Sequence, residues 1–213
     1  MEVRSDNSPE KNSERLSSHT GEGVVIDIGT GDGRFVSAAA RKNPNKFFVG
    51  IDANVKPLKK PSMKATRKPA RGGLPNALFV QAAIEDLPKE LNGSADEIHI
   101  HFPWGSLLKS VACGDTLVLS SLRRIAAVDC LLEIVIGVDP QRDRAEIMRL
   151  AIPEITPDFI RQVLRQKYLD AGFELLDHRQ LEAAEWSQLE TSWAKRLGVN
   201  KQRKVACLLF EAV

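Results

Sequence analysis

The sequence predicts an α/β fold: a doubly wound, mostly parallel sheet. Three observations carry that reading. Val24, Val25, Ile26 and Ile28 form a short β-branched run that leads straight into Gly29, Gly31 and Gly33. A helical pattern follows over residues 35–41 and stops at Asn43-Pro44. Phe47, Phe48, Val49 and Ile51 then make a second buried strand, closed by the acidic Asp52. Strand, glycine turn, helix, strand and acid is the order of a nucleotide-binding βαβ unit.

The remaining elements follow in order. Residues 1–23 are polar and poor in apolar side chains, so they read as a flexible tail ahead of a single domain over 24–213. After Asp52 comes a basic block, Lys56, Lys59, Lys60, Lys64, Arg67, Lys68 and Arg71, with no acidic residue from 53 to 83. A one-sign run repels itself unless an anion sits opposite. It reads either as a phosphate-contacting surface or as a Lys-rich solvated helix. Residues 77–82 are strand three, followed by Glu85. Residues 96–103 are strand four, in which Ile98, Ile100 and Phe102 alternate with His99 and His101. Two histidines at that spacing can ligate a metal, but no third ligand lies nearby in sequence, so they read as ordinary side chains and no metal is expected. The strand ends in Phe102-Pro103-Trp104-Gly105-Ser106, where a Trp is poorly placed for the core and well placed to stack on a base.

Residues 106–111 start a short helix. A longer one spans 115–128, with Leu117, Leu119, Leu122, Ile125 and Ala126 facing inward. Residues 130–138 are strand five. The charged stretch 139–153 reads as an insertion over the site. Thr156 caps a helix over 157–171 that Gly172 stops. Residues 173–181 are strand six, 182–198 read as one helix carrying Trp186 and Trp193, and 204–213 are the last strand. Trp186 is assigned to the core. Trp193 can equally pack on the sheet or face a ligand.

Length and charge set the class. At 213 residues the chain buries a real core. No apolar run approaches membrane-spanning length, and the N-terminus has no apolar signal core. Cys113, Cys130 and Cys207 are scattered and lack metal spacing, which fits free thiols in a reducing cytosol. The net charge of +2 is small; its clustering is the informative part.

The glycine spacing differs from G-x-G-x-x-G, so a nicotinamide dinucleotide fits poorly. With Asp27 ahead of the first glycine, the pattern D-x-G-x-G-x-G resembles motif I of the S-adenosylmethionine-dependent methyltransferases. That resemblance implies a class I, Rossmann-like, seven-stranded sheet, mostly parallel with an antiparallel last strand. It also implies that Asp52 accepts hydrogen bonds from the ribose hydroxyls, a task suited to an acceptor-only carboxylate.

Four pieces narrow the resemblance: GTGDG, RKPARGGLPN, FPWGSLL and TSWAKRL. In this order and spacing they resemble the aminoglycoside-resistance 16S rRNA (adenine(1408)-N1)-methyltransferases, over roughly residues 24–213. The fold requires neither FPWGSLL nor TSWAKRL. The resemblance implies that Asp27, Gly29, Gly31 and Asp52 bind S-adenosylmethionine, with Glu85 and Ser106 as further candidates. It implies that Trp104 and Trp193 sandwich the flipped adenine, with Thr191 close by. Lys64, Arg67, Lys68 and Arg71 match a basic patch that docks on rRNA. Arg196 and Arg203 match basic residues beside the target nucleotide, and Lys201 falls in the same loop. Target-site segments are then 104–111, 139–155 and 182–203, and the partner is 16S rRNA in the 30S subunit, met by a cytoplasmic monomer. Residues 1–23 lack the apolar alternation of the β-hairpin with which family members commonly begin.

The chemistry agrees with the absence of an obvious acid–base pair. Adenine N1 carries an in-plane lone pair and needs no deprotonation before it accepts a methyl group. Two other readings stand beside this one. A tRNA (guanine-N7)-methyltransferase has a similar glycine loop but a longer proline-rich motif where this chain has FPWGS. A non-catalytic RNA-binding protein could keep the same cofactor fold.

Overall fold

The computed structural model describes residues 21–197 and 203–213. The expected tail over 1–20 and the candidate Lys201 lie outside the described residues.

Among the described residues, seven strands form one sheet in the order β3-β2-β1-β4-β5-β7-β6. They are β1 (Val24–Ile28), β2 (Phe47–Asp52), β3 (Ala77–Gln81), β4 (Ala95–His101), β5 (Ala126–Ile136), β6 (Phe173–Leu181) and β7 (Val205–Ala212). Strands β3 to β5 are parallel; β7 inserts antiparallel between β5 and β6. The strand order reverses beside β1, between β2 and β4, and the carboxyl ends there open the crevice in which such sheets bind ligands.

The two faces are covered differently. On one, Ile26, Ile98, Ile100, Leu132, Ile134 and Phe210 pack against helices α3 (Gly105–Cys113), α4 (Thr116–Ile125) and α5 (Arg144–Leu150), and against the segment that follows. That segment is one helix, α6, whose turns Pro157–Phe159 and Arg165–Asp170 flank a π-helical stretch Ile160–Leu164. On the other face the apolar packing comes in two separate pieces. Val25, Phe48 and Phe79 meet helices α1 (Arg34–Lys42) and α2 (Val55–Ala65). Phe102, Val135, Val205 and Cys207 meet Trp186 and Ala194, carried by α7 (Ala183–Trp186) and α8 (Ser192–Leu197).

Three boundaries differ from expectation, each for a local reason. Helix α4 ends at Ile125, because Ala126 is already extended and begins β5, whose pairing with β4 is irregular near Ala95 and whose Asp129 has φ +58°. Its buried stripe is Val118, Leu119, Leu122 and Ile125, so Leu117 points outward and is 74% exposed. Residues 182–198 are not one helix. A capping box of Glu182 and Glu185 starts α7, and the Thr191 hydroxyl accepts from the Ala194 N–H to start α8 afresh. The stretch 139–153 is not irregular throughout: it holds α5, whose Leu150 packs into the core beside α3.

Candidate active site

A cavity of about 310 Å³ opens at the carboxyl ends of β1, β2 and β4. Asp27, Gly29, Gly31, Asp52, Glu85, Trp104, Ser106, Thr191 and Trp193, drawn from the whole length of the chain, all line it.

The floor is the glycine loop. Gly29 and Thr30 donate their backbone N–H groups to the Ile51 carbonyl, at 2.8 and 3.0 Å. The Gly31 N–H donates to Asp52 Oδ2 at 2.8 Å, and the Asn54 N–H to Oδ1 at the same distance. Asp52 therefore holds the loop while keeping further acceptor lone pairs for a ligand. Gly33 starts α1 at φ +65°, and a Cβ there would strike the Phe79 ring. Among the described residues, no side chain caps α1. Asp32 accepts instead from Arg34 Nε at 2.9 Å and from the Ser192 hydroxyl at 2.6 Å. That second bond, with the Lys42–Glu190 ion pair at 3.0 Å, ties the approach to α8 onto the first βα unit. Nothing in local spacing joins residues 32 and 192, so the sequence carries no signal for the role of Ser192.

The wall is the end of β4. Phe102 adopts φ +50°, a conformation that costs a non-glycine residue about 1–3 kcal/mol and that clusters at functional sites. Its N–H is held by the Val135 carbonyl and its ring lies edge-on to buried Trp186, at 6.4 Å. The bend turns Trp104 out of the core; it is 39% exposed. Trp104 and Trp193 stack on each other, centroids 5.4 Å apart and planes 23° from parallel, and the Arg196 guanidinium carbon lies 5.9 Å from the Trp193 centroid.

Beneath α1 lies a polar cluster whose two histidines read, from their spacing along β4 alone, as ordinary side chains. His101 Nε2 is 2.7 Å from Glu133 Oε1, His99 Nδ1 is 3.2 Å from the same oxygen, and His99 Nε2 is 3.3 Å from Glu97 Oε2. Burial works against a charged His99 ring, but Glu133 and Glu97 outweigh it and hold its pKa up at about 9. His101 and His99 hold the Glu133 carboxyl well below the usual range. Asp27 borders this cluster in the cavity; burial pushes its carboxyl up, and His101 draws it back.

The basic candidates separate into three. Lys64, Arg67, Lys68 and Arg71 are all exposed on the end of α2 and the turn after it. Gly73 packs so close to the Arg67 carbonyl that a Cβ would overlap it, which fixes the turn bearing these side chains. Arg196 is exposed beside the tryptophans. Arg203 is placed otherwise: its side chain is 8% exposed, and its guanidinium pairs with Asp143 at 2.6 Å and donates to the Gly137 carbonyl.

The family model for 16S rRNA (adenine(1408)-N(1))-methyltransferase, NpmA, matches residues 6–212. The chain belongs to this family. A 16S rRNA (adenine(1408)-N(1))-methyltransferase from Streptoalloteichus hindustanus is 37% identical over 180 residues, 84% of this chain and 82% of the relative. The solved aminoglycoside resistance methyltransferase NpmB1 superposes with a TM-score of 0.83 at 47% identity, over 97% of this methyltransferase and 94% of that chain. A substituted 16S rRNA (adenine(1408)-N(1))-methyltransferase from Catenulisporales acidiphilia, solved with cosubstrate SAM, superposes at 0.85 with 34% identity, over 98% and 92% of the two chains. A tRNA (guanine-N(7)-)-methyltransferase from Thermotoga maritima matches over 82 residues, 38% of this chain. The class I methyltransferase fold and the methyltransferase assignment therefore stand over the alternative readings.

Proposed function

We propose that this methyltransferase transfers a methyl group from S-adenosylmethionine to N1 of adenine 1408 in 16S rRNA, acts on the assembled 30S subunit as a cytoplasmic monomer, and so confers aminoglycoside resistance. The observation that carries this reading is the pair of tryptophans, stacked at the mouth of a glycine-floored cavity. The donor set suits the cofactor: a carboxylate at the end of β2 that keeps acceptor lone pairs for ribose hydroxyls, beside a glycine loop whose backbone a ligand can approach closely. Asp27, Gly29, Gly31 and Asp52 hold the cofactor, with Glu85 toward the adenine end and Ser106 at the start of α3. When bound, S-adenosylmethionine supplies an electrophilic methyl group, which the lone pair of adenine N1 accepts without prior loss of a proton.

The chain's own residues then have to position, not to move protons. N1 lies on the Watson–Crick edge, so the base leaves its stack at a cost of a few kcal/mol. Trp104 and Trp193 offset that cost, because each base–aromatic stack is worth about 1–3 kcal/mol. A base entering between rings whose centroids are 5.4 Å apart has to part them. Orientation of this kind contributes roughly 7–11 kcal/mol to lowering a bimolecular barrier. Lys64, Arg67, Lys68, Arg71 and Arg196 supply phosphate contacts. Arg203 acts as a tie: it holds the start of β7 to the loop after β5, and Thr191 caps the helix that presents Trp193.

The test is single-turnover methylation of saturating 30S subunits, with reverse-transcription mapping of the modified base. Trp104→Phe keeps most of the rate, and Trp104→Ala loses about tenfold or more. Folded Trp104→Ala that methylates at the wild-type rate, or modification at a different base, overturns the proposal.

A further inference from the structure

The cluster beneath α1 is out of character with its surroundings. It sits on the sheet face whose apolar packing is broken in two, between the Val25–Phe48–Phe79 group and the Phe102–Val135–Trp186 group. A fold needing only a core would fill that strip with aliphatic side chains, because burying titratable groups is costly. Here β1, β4 and β5 bring Asp27, His99 and Glu133 into register, with His101 one pleat further along.

We propose that His99, His101 and Glu133 bind one divalent transition-metal ion of the zinc type. Two imidazoles and a carboxylate are a donor set that zinc accepts, with a fourth position left for water. The donor atoms of the three residues all lie within 4.8 Å of one another. Zinc with bonds of 2.0–2.2 Å in a tetrahedron spaces its ligand atoms roughly 3.5 Å apart, so side-chain rotation alone closes the set. The ligands stand on paired strands, with His99 opposite Glu133, which fixes their separation. An outer shell is present as well. Glu97 Oε2 lies 3.3 Å from His99 Nε2, the nitrogen facing away from Glu133, and Lys46 Nζ holds the other Glu97 oxygen at 2.6 Å. A carboxylate on the far nitrogen of a ligating histidine orients it and raises its basicity. The Phe35 ring covers the imidazoles, its centroid 5.2 Å from that of His99 and 4.8 Å from that of His101. The His99 and Glu133 side chains remain 17% and 31% exposed, which leaves a path for an ion and for water. Spacing along β4 alone suggested two ligands and no third; the third comes from the neighbouring strand. Protons and metal compete for the same ring nitrogens, so binding releases protons.

The experiment uses the full chain, stripped with a chelator and titrated with Co²⁺ in mildly alkaline buffer while visible absorption is followed. One equivalent produces the intense bands of four-coordinate cobalt, Zn²⁺ displaces it, and Zn²⁺ raises the melting temperature. His101→Gln abolishes the bands, Glu97→Gln weakens binding at least tenfold, and His178→Gln on β6 leaves the bands in place. A wild-type chain with no saturable bands and no zinc-dependent melt overturns the site. So does a folded His101→Gln that binds like wild type, or loss of the bands in His178→Gln. If His101→Gln fails to fold, Glu97→Gln decides: unchanged affinity there rejects the site.

Discussion

At the scale of single residues, two side chains prove to do more than a motif assigns them. Asp52 sits where a ribose-binding acid is expected and also accepts from Gly31 and Asn54. On the proposed reading, Asp52→Ala removes a cofactor contact; it also removes the acceptor of the Gly31 and Asn54 N–H groups and so loosens the loop that forms the floor. Hydrogen bonds to a charged group are worth about 1.5–3 kcal/mol, so affinity for S-adenosylmethionine is expected to fall about tenfold or more by calorimetry. A folded variant with unchanged affinity takes Asp52 out of the site. Arg203 was expected beside the target nucleotide, yet its charge is already matched by Asp143 within a nearly buried pair. Removing one partner of such a pair costs about 3–5 kcal/mol. Asp143→Ala and Arg203→Ala are therefore expected to lower the melting temperature alike, and neither to change the salt slope of 30S binding. A reduced slope in Arg203→Ala with an unchanged melt would return Arg203 to phosphate binding.

At the scale of elements, α2 and the turn after it form a basic surface on a fixed frame. Asn54 caps the helix by accepting from the Lys56 N–H, Leu58, Pro61 and Ala65 bury its inner side, and the Leu74 N–H returns to the Ala65 carbonyl. The exposed charges are thus presented from packed backbone. Arg67→Glu combined with Lys68→Glu is expected to prevent 30S binding while leaving cofactor affinity as it was. Single Ala variants at the two positions should each flatten the salt dependence by nearly one unit of slope, on a duplex-based scale. Equal slopes in wild type and variants would make this a solvated helix with no part in docking.

At the scale of the whole molecule, the cysteines report how completely the sheet is enclosed. Cys130 and Cys207 are buried, and burial pushes their thiols up to about 12 and about 11. The thiolate is the reactive form, and a raised pKa keeps both protonated well above neutral pH. Cys113 is half-buried. In the folded protein one thiol is expected to react with an aromatic disulfide reagent at neutral pH, and three after denaturation. Rapid labelling of all three without denaturant would show that the β5–β7 region opens readily.

The βαβ unit, the strand count, the antiparallel last strand and the family are legible in the amino-acid order alone. Those features rest on local signals: glycines at a turn, β-branched runs, and motifs such as FPWGSLL that the fold does not demand. The same order also names the residues that meet around one cavity, because strand ends in a doubly wound sheet converge wherever the chain order reverses. The other features depend on how the chain packs in three dimensions. Ser192 meets Asp32, Arg203 meets Asp143 and Glu133 meets His99 and His101 across long separations in the chain. Helix α4 turned Leu117 outward and stopped early because packing and strand pairing, not composition, set its stripe and its end. Periodicity says which face of an element is apolar; which polar groups face each other depends on strand register, and register is a property of the assembled sheet.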